Sequence, residues 1–279
     1  MNKKYMLRIT AALSAALLFG GVFLLTKDDI QQRAKEKDME RYMPPTSALT
    51  ALEEISLPEK TTVTATGSDN PSVTSSPPEE SAAALLPVLS PEVRQELTVT
   101  SASLAEDYSD ALGWLYLPGT DICYPVMQHS DNEYYLCHAY DGSSLKAGSV
   151  FLDYRCEGRF RNPINIVYAH NMQNGSMFAD VEDFKVRDFF DLHRFGWLTT
   201  PDTVYRIDFF SCAVADWHDE LYNGGMPVEQ WIPHILEKSV VSRDMELSEN
   251  DRYISLSTCS YEFKNARTIL TGRLVETED

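Results

Sequence analysis

The placement of the aromatic residues constrains this chain more than any other feature. Of 30 aromatic side chains, 26 lie at or beyond Tyr108. Between residues 27 and 107, Tyr42 stands alone. Burial of large apolar side chains is the main favourable term set against chain entropy. A packed core therefore belongs to the C-terminal part, residues 92–279, which is long enough for one domain.

The first 91 residues divide in two. Lys3, Lys4 and Arg8 precede an uncharged run from Ile9 to Leu25. As a helix that run spans about 26 Å, close to the thickness of a hydrocarbon core. It reads as a cleaved signal peptide or an uncleaved signal anchor. Its length, and the lack of a small-x-small site before Lys27 and Asp28, favour an anchor over residues 1–26. The basic residues before the run put the N-terminus in the cytoplasm and the rest outside, as a single-pass membrane protein. Residues 27–91 read as a stalk. Asp28 to Arg41 is densely charged and suits a short helix. From Pro44 to Pro91 lie eight of the 14 prolines, among Ser, Thr and Glu. That composition predicts an extended, mobile spacer.

Within residues 92–279, short β-rich runs recur between turn signals: 113–119, 121–127, 148–154, 165–170, 203–215, 252–259 and 267–275. This spacing predicts a mainly β fold, a sandwich or barrel. Helices are expected over Pro91 to Leu112, Ser176 to Phe190 and Pro227 to Val240, the last two as insertions between strands.

Charge and cysteine usage exclude several functions. With 24 Lys+Arg against 42 Asp+Glu the net charge is −18, unsuited to a nucleic-acid partner. Five cysteines without a CxxC pair give neither a disulfide framework nor a structural zinc site. No calcium loop is recognisable, and no metal or cofactor is implied.

One cysteine stands apart. Cys212 lies inside the apolar run FFSCAVA, and Cys123, Cys137 and Cys156 lie in or beside apolar or aromatic strands, as packing residues do. Cys259 ends the strand YISLSTC, before a polar loop, and Arg267 opens the next strand. Paired as a hairpin, those strands set Cys259 and Arg267 side by side at one rim. A guanidinium there favours the thiolate and suits an oxyanion. His170 ends the strand NIVYAH in the same way. It is the histidine best placed for proton transfer. His193 and His234 fall in helical stretches, His129 and His138 flank a loop near Asn132, and His218 follows Trp217 in a loop.

The stretch YAH (168–170), LSTC (256–259) and Arg267 eight residues on resembles the active-site signature of the sortases. GWLYLPGTDICYPVMQ, DNEYYL (131–136) and GSVFLDYR (148–155) resemble the class B branch. The resemblance covers nearly all of residues 92–279. It implies a closed sortase-type β-barrel with an N-terminal helix and helical insertions. It also implies an extracellular cysteine transpeptidase of Gram-positive cells. In that reading Cys259 attacks a C-terminal sorting signal, LPxTG or NPxTG in kind, of a secreted protein. An amine from peptidoglycan or a pilin lysine takes the acyl group from the thioacyl-enzyme. His170 moves the protons, and Arg267 holds the oxyanion or the substrate backbone. The positions matching substrate contacts are Asn132, Leu136, Tyr168 and Ser257, although Tyr168 and Leu136 suit core packing equally well. Two other readings stay open. One is a different extracellular cysteine transpeptidase acting on peptidoglycan. The other is a non-catalytic surface adhesin.

Overall fold

The computed structural model describes residues 27–57 and 89–277. The expected membrane segment over residues 1–26 lies outside them, as does most of the Pro/Ser/Thr-rich stretch. Among the described residues no helix is long and apolar enough to cross a membrane.

Among the described residues nine strands form one sheet: β1 (Ala111–Tyr116), β2 (Cys123–Met127), β3 (Val150–Leu152), β4 (Ile164–Tyr168), β5 (Phe195–Thr199), β6 (Val204–Asp216), β7 (Ser239–Ser242), β8 (Arg252–Cys259) and β9 (Ala266–Glu276). Their order is β5-β1-β2-β3-β4-β8-β9-β6-β7, and β6 also pairs back onto β5. Eight strands thus close a barrel, leaving its wall without an open edge. The first half of β6 pairs with β5 and its second half with β7. The pairs β2–β3 and β4–β8 are parallel; every other pair is antiparallel.

Side-chain alternation explains why the C-terminal strands read as continuous apolar runs. Phe209, Ile254, Leu256 and Leu270 belong to one buried cluster. Their sequence neighbours Phe210, Tyr253 and Ile269 belong to another. Successive residues of a strand face opposite ways, so these strands are covered on both sides. The outer cover includes the helix Val228–Glu237, through Val228, Trp231 and Ile235.

The sequence expectation needs correcting at five places. The helix expected over Pro91 to Leu112 ends at Asp107, and Ala111 and Leu112 already belong to β1. The strand β5 lies in a stretch assigned no structure. The strand β7 takes the end of the expected helix from Pro227, because the chain turns back at Lys238 to pair with β6. The helix expected over Ser176 to Phe190 is a 3-10 segment, Ala179–Lys185, followed by a short α-helix, Arg187–Leu192. Part of the expected mobile spacer is helical, over Thr46–Ser56. Its Ala48 and Leu52 lie one turn apart and are fully buried with Leu97, Trp197 and Val204. Trp197 Nε1 donates to Ser56 Oγ at 2.8 Å. Two small apolar residues at helical spacing outweigh the Pro-rich composition around them once a tryptophan is there to cover.

Numbered in chain order, the α-helices among the described residues are α1 (Lys27–Met39), α2 (Thr46–Ser56), α3 (Pro91–Asp107), α4 (Arg187–Leu192) and α5 (Val228–Glu237). α1 is mostly polar and charged, with Ile30, Ala34 and Met39 its apolar residues. The described residues from Tyr42 to Thr277 form one compact unit, and α1 lies in a separate one. α3 starts where Pro91 predicts, and Ser90 Oγ accepts from the Val93 N–H at 3.3 Å as its cap.

Candidate active site

Strand register brings three polar side chains to one end of the barrel. In the parallel pair β4–β8, Tyr168 lies opposite Ser257. Two residues further along each strand stand His170 and Cys259. In the antiparallel pair β8–β9, Cys259 lies opposite Arg267. The Ala169 N–H donates to Ser257 O at 3.3 Å. Thr258 Oγ1 donates to Ala169 O at 2.9 Å, and Asn171 Nδ2 to Cys259 O at 3.0 Å. The backbone on either side of His170 is thus tied to the segment that ends in Cys259. Between Cys259 and Arg267 the chain reverses through Asn265, which takes a left-handed φ of 67°, a conformation asparagine tolerates.

His170 Nε2 lies 2.8 Å from Leu136 O. A carbonyl only accepts, so Nε2 carries the hydrogen and Nδ1 holds the lone pair of the neutral ring. Leu136 ends the 3-10 turn Tyr134–Leu136. Gly148 packs under that turn with φ 62°, and a Cβ on it would fall 2.3 Å from Tyr135 O and 2.9 Å from Leu136 O. Gly148→Ala is therefore expected to cost about 2 kcal/mol and to displace the carbonyl that orients His170. Thermal unfolding and turnover should both fall. Unchanged turnover would mean that the Leu136 contact does not position the imidazole.

His170, Cys259 and Arg267 line a cleft of about 560 Å³ together with Asn132, Leu136, Tyr168 and Ser257. Leu136 is 40% exposed, so it is not a core residue. Tyr168 is half-buried. Its hydroxyl donates to Asp153 Oδ2 at 2.9 Å, and burial raises its pKa. Asn132 spends both ends of its amide on the wall. Its Nδ2 donates to Asp153 Oδ2 at 3.0 Å, and its Oδ1 accepts from the Tyr154 N–H at 2.9 Å. Ser257 is buried and shares a 2.8 Å hydrogen bond with the hydroxyl of Tyr222.

Further residues shape the cleft without a signal in the sequence reading. Asp153, buried below it, accepts from Arg155 Nε at 2.9 Å and Nη2 at 2.6 Å. Burial pushes the Asp153 carboxyl up, but the Arg155 side chain and backbone N–H and the Tyr168 hydroxyl outweigh it and hold the carboxyl below its usual range. Arg155 itself lines the cleft, as do Trp217, His218, Tyr222 and Asn223 from the insertion after β6. Those four sit on its loop, residues 217–226, which has no hydrophobic period to mark it, unlike the helix that follows. Asp153 and Arg155 stood inside a recognised stretch, but an i, i+2 pair at a strand end carries no distinctive pattern.

All five cysteines are free thiols. Cys212 is fully buried, and burial raises its pKa strongly. Burial pushes the Cys123 thiol up to about 12 and raises that of Cys156. Cys137 is exposed beside His138. Cys259 alone among the five lines the cleft. Cys212→Ala is expected to keep turnover within about twofold while costing about 1 kcal/mol of stability. A complete loss of turnover would transfer the nucleophile's role to Cys212.

Comparison with known proteins bears on the class. No family model matches the sequence. The chain is 34% identical to sortase B of Listeria monocytogenes over 190 residues, spanning 66% of this chain and 76% of that protein. Its structure is similar to a mutant form of Clostridium perfringens sortase B, with a TM-score of 0.62 and 28% identity over 67% of this chain and 91% of the other. It is also similar to the Staphylococcus aureus sortase B–substrate complex, with a TM-score of 0.61 and 25% identity over 65% and 87% of the two chains. Agreement of this extent over the barrel defines a sortase, a cysteine transpeptidase. Within that class, the chain belongs to the sortase B family.

Proposed function

We propose that Cys259 is the nucleophile, His170 the proton carrier and Arg267 the oxyanion-side cation of this transpeptidase. One observation carries the assignment: the register of β4, β8 and β9 delivers all three to neighbouring strand ends in a single cleft. The Cys259 thiol passes its proton to Nδ1 of His170, and the resulting thiolate adds to the Thr carbonyl of a sorting signal, LPxTG or NPxTG in kind, near the C-terminus of a secreted protein. The C–N bond then breaks, and the leaving amine takes a proton from His170. A primary amine of peptidoglycan or of a pilin lysine attacks the thioester and regenerates the thiol. This divides one difficult exchange into two easier steps. Arg267 stabilises negative charge on the carbonyl oxygen, or holds the substrate backbone. Asn132, Leu136, Tyr168 and Ser257 line the channel for the signal.

The S. aureus relative has been solved with a substrate, which supports a peptide-binding role for the corresponding cleft. The run Ile9–Leu25 would hold the enzyme at the outer face of the membrane, with its N-terminus in the cytoplasm. The test is intact-mass analysis of the reduced chain after incubation with a panel of sorting-signal peptides. An acyl adduct on Cys259 with one peptide fixes nucleophile and motif together. Adducts only with peptidoglycan stem peptides would replace the donor. Absence of any adduct from folded protein would overturn the assignment.

A further inference from the structure

The cleft holds a second imidazole. Sheet order β4-β8-β9-β6 sets four strand ends in a row, and β6 continues that row beyond Arg267. Ala215 pairs with Arg267, and Asp216 with Ala266. The turn that follows is fixed, because the Trp217 N–H donates to Asn265 O at 3.1 Å and the Asp219 N–H to Asp216 O at 2.9 Å. His218 stands on this turn and lines the cleft. With β6 two strands from β8, it rises about 10 Å from the nucleophile's strand, on the flank opposite His170.

Its hydrogen bonding is the reverse of that of His170. Asp216 Oδ1 accepts from His218 Nδ1 at 2.7 Å and from the His218 N–H at 2.9 Å. These bonds from the His218 backbone and ring hold the Asp216 carboxyl below its usual range. An ionised carboxylate only accepts, so Nδ1 carries the hydrogen and Nε2 presents a lone pair. The side chain is 66% exposed, so a proton taken there exchanges with solvent. Other charges near it are Arg267 on β9, whose field also acts on Asp216, and Asp219 on the same turn. Asp219 is engaged by His234 at 2.6 Å and Lys238 at 3.4 Å.

We propose that His218, oriented by Asp216, is the acceptor-side base of this transpeptidase, and that the pair receives a primary ammonium. The inference rests on the thioacyl reading of Cys259. An alkyl ammonium is protonated at neutral pH, its pKa lying near about 10, and has no lone pair with which to attack. It first gives one proton to Nε2 of His218, which passes it to solvent. The freed lone pair then forms the C–N bond at the thioester carbon. The C–S bond breaks, and its electrons stay on Cys259 Sγ. The nitrogen's second proton goes to His170 and restores the resting thiol pair. The net charge of −18 favours a cationic acceptor in the same direction.

The experiment follows the acyl-enzyme of the full chain with a sorting-signal peptide, with Nα-acetyl-lysine amide as acceptor. Its readout is the ratio of amide product to hydrolysed product. Near neutral pH, His218→Gln is expected to lower that ratio by at least about tenfold, and Asp216→Asn to lower it by less. The deficit should close as pH approaches that of the free amine, because solution then supplies the deprotonated nucleophile. An unchanged ratio overturns the proposal, and so does one lowered equally at every pH, the mark of mere distortion. Failure of the wild-type chain to form any adduct would overturn the thioacyl reading as well, so the two failures are distinguishable.

Discussion

Cys259→Ala is expected to reduce cleavage of a sorting-signal peptide by at least about 10⁴-fold, the scale seen when a covalent nucleophile is removed. The melting temperature should hardly move. Cys259 ends its strand at the cleft, so losing its sulfur opens no cavity in the core. His170→Ala should fall nearly as far, because residues that act as a unit are not additive. The double variant should therefore be no slower than Cys259→Ala alone. His170→Ala should also block the acyl adduct itself, since breaking the peptide C–N bond needs a proton for the departing amine. Retained turnover in either single variant, measured by release of a fluorogenic leaving peptide, would remove that residue from the mechanism. So would fully additive losses, which would mean that the thiol and imidazole work independently.

The sequence showed these side chains at strand ends because register is local information. A six-residue connection between β8 and β9 leaves few ways to pair them, and the apolar runs fix which face turns inward. Placing His170 beside them needed the parallel pairing of β4 with β8, which spans 88 residues of sequence between His170 and Asn171 on one side and Thr258 and Cys259 on the other. Nothing local specifies that neighbour: the strand end singled out His170 among the histidines, and the family resemblance set it beside Cys259. The loop that opens the insertion after β6 stayed illegible for a related reason, although the helix behind it was legible. Tyr222 reaches the cleft by hydrogen bonding Ser257, 35 residues later, from a loop with no period of its own. The helix α2 was hidden by composition, since its Ala48 and Leu52 gain meaning only against Trp197.

The largest effect on stability is expected at Asp153, beneath the cleft rather than in it. Its side chain is 2% exposed. Oδ2 accepts from Arg155 Nη2, Asn132 Nδ2 and the Tyr168 hydroxyl, and Oδ1 from Arg155 Nε and the Arg155 N–H. Asp153→Asn turns one of these oxygens into an amide donor facing donors only. Removing one member of a buried pair costs about 3–5 kcal/mol. Arg155 is 37% exposed and can regain water, so a cost near about 3 kcal/mol is expected, or roughly 6–12 °C in melting temperature for a domain of this size. The pH dependence has a definite sign. The folded-state pKa of Asp153 is depressed, so its contribution is complete above the unfolded value of about 3.9 and is lost as pH falls through the folded value. The stability gap between wild type and variant should therefore be widest near neutral pH and narrow under acid. Activity should respond through substrate binding first, because Asn132 and Tyr168 lose the acceptor that aims them across the cleft wall. KM should rise more than kcat falls. A gap that stays constant down to acid pH would mean that the carboxylate's charge is not what the network uses. A melting temperature within a degree of wild type would mean that the hub carries little of the fold.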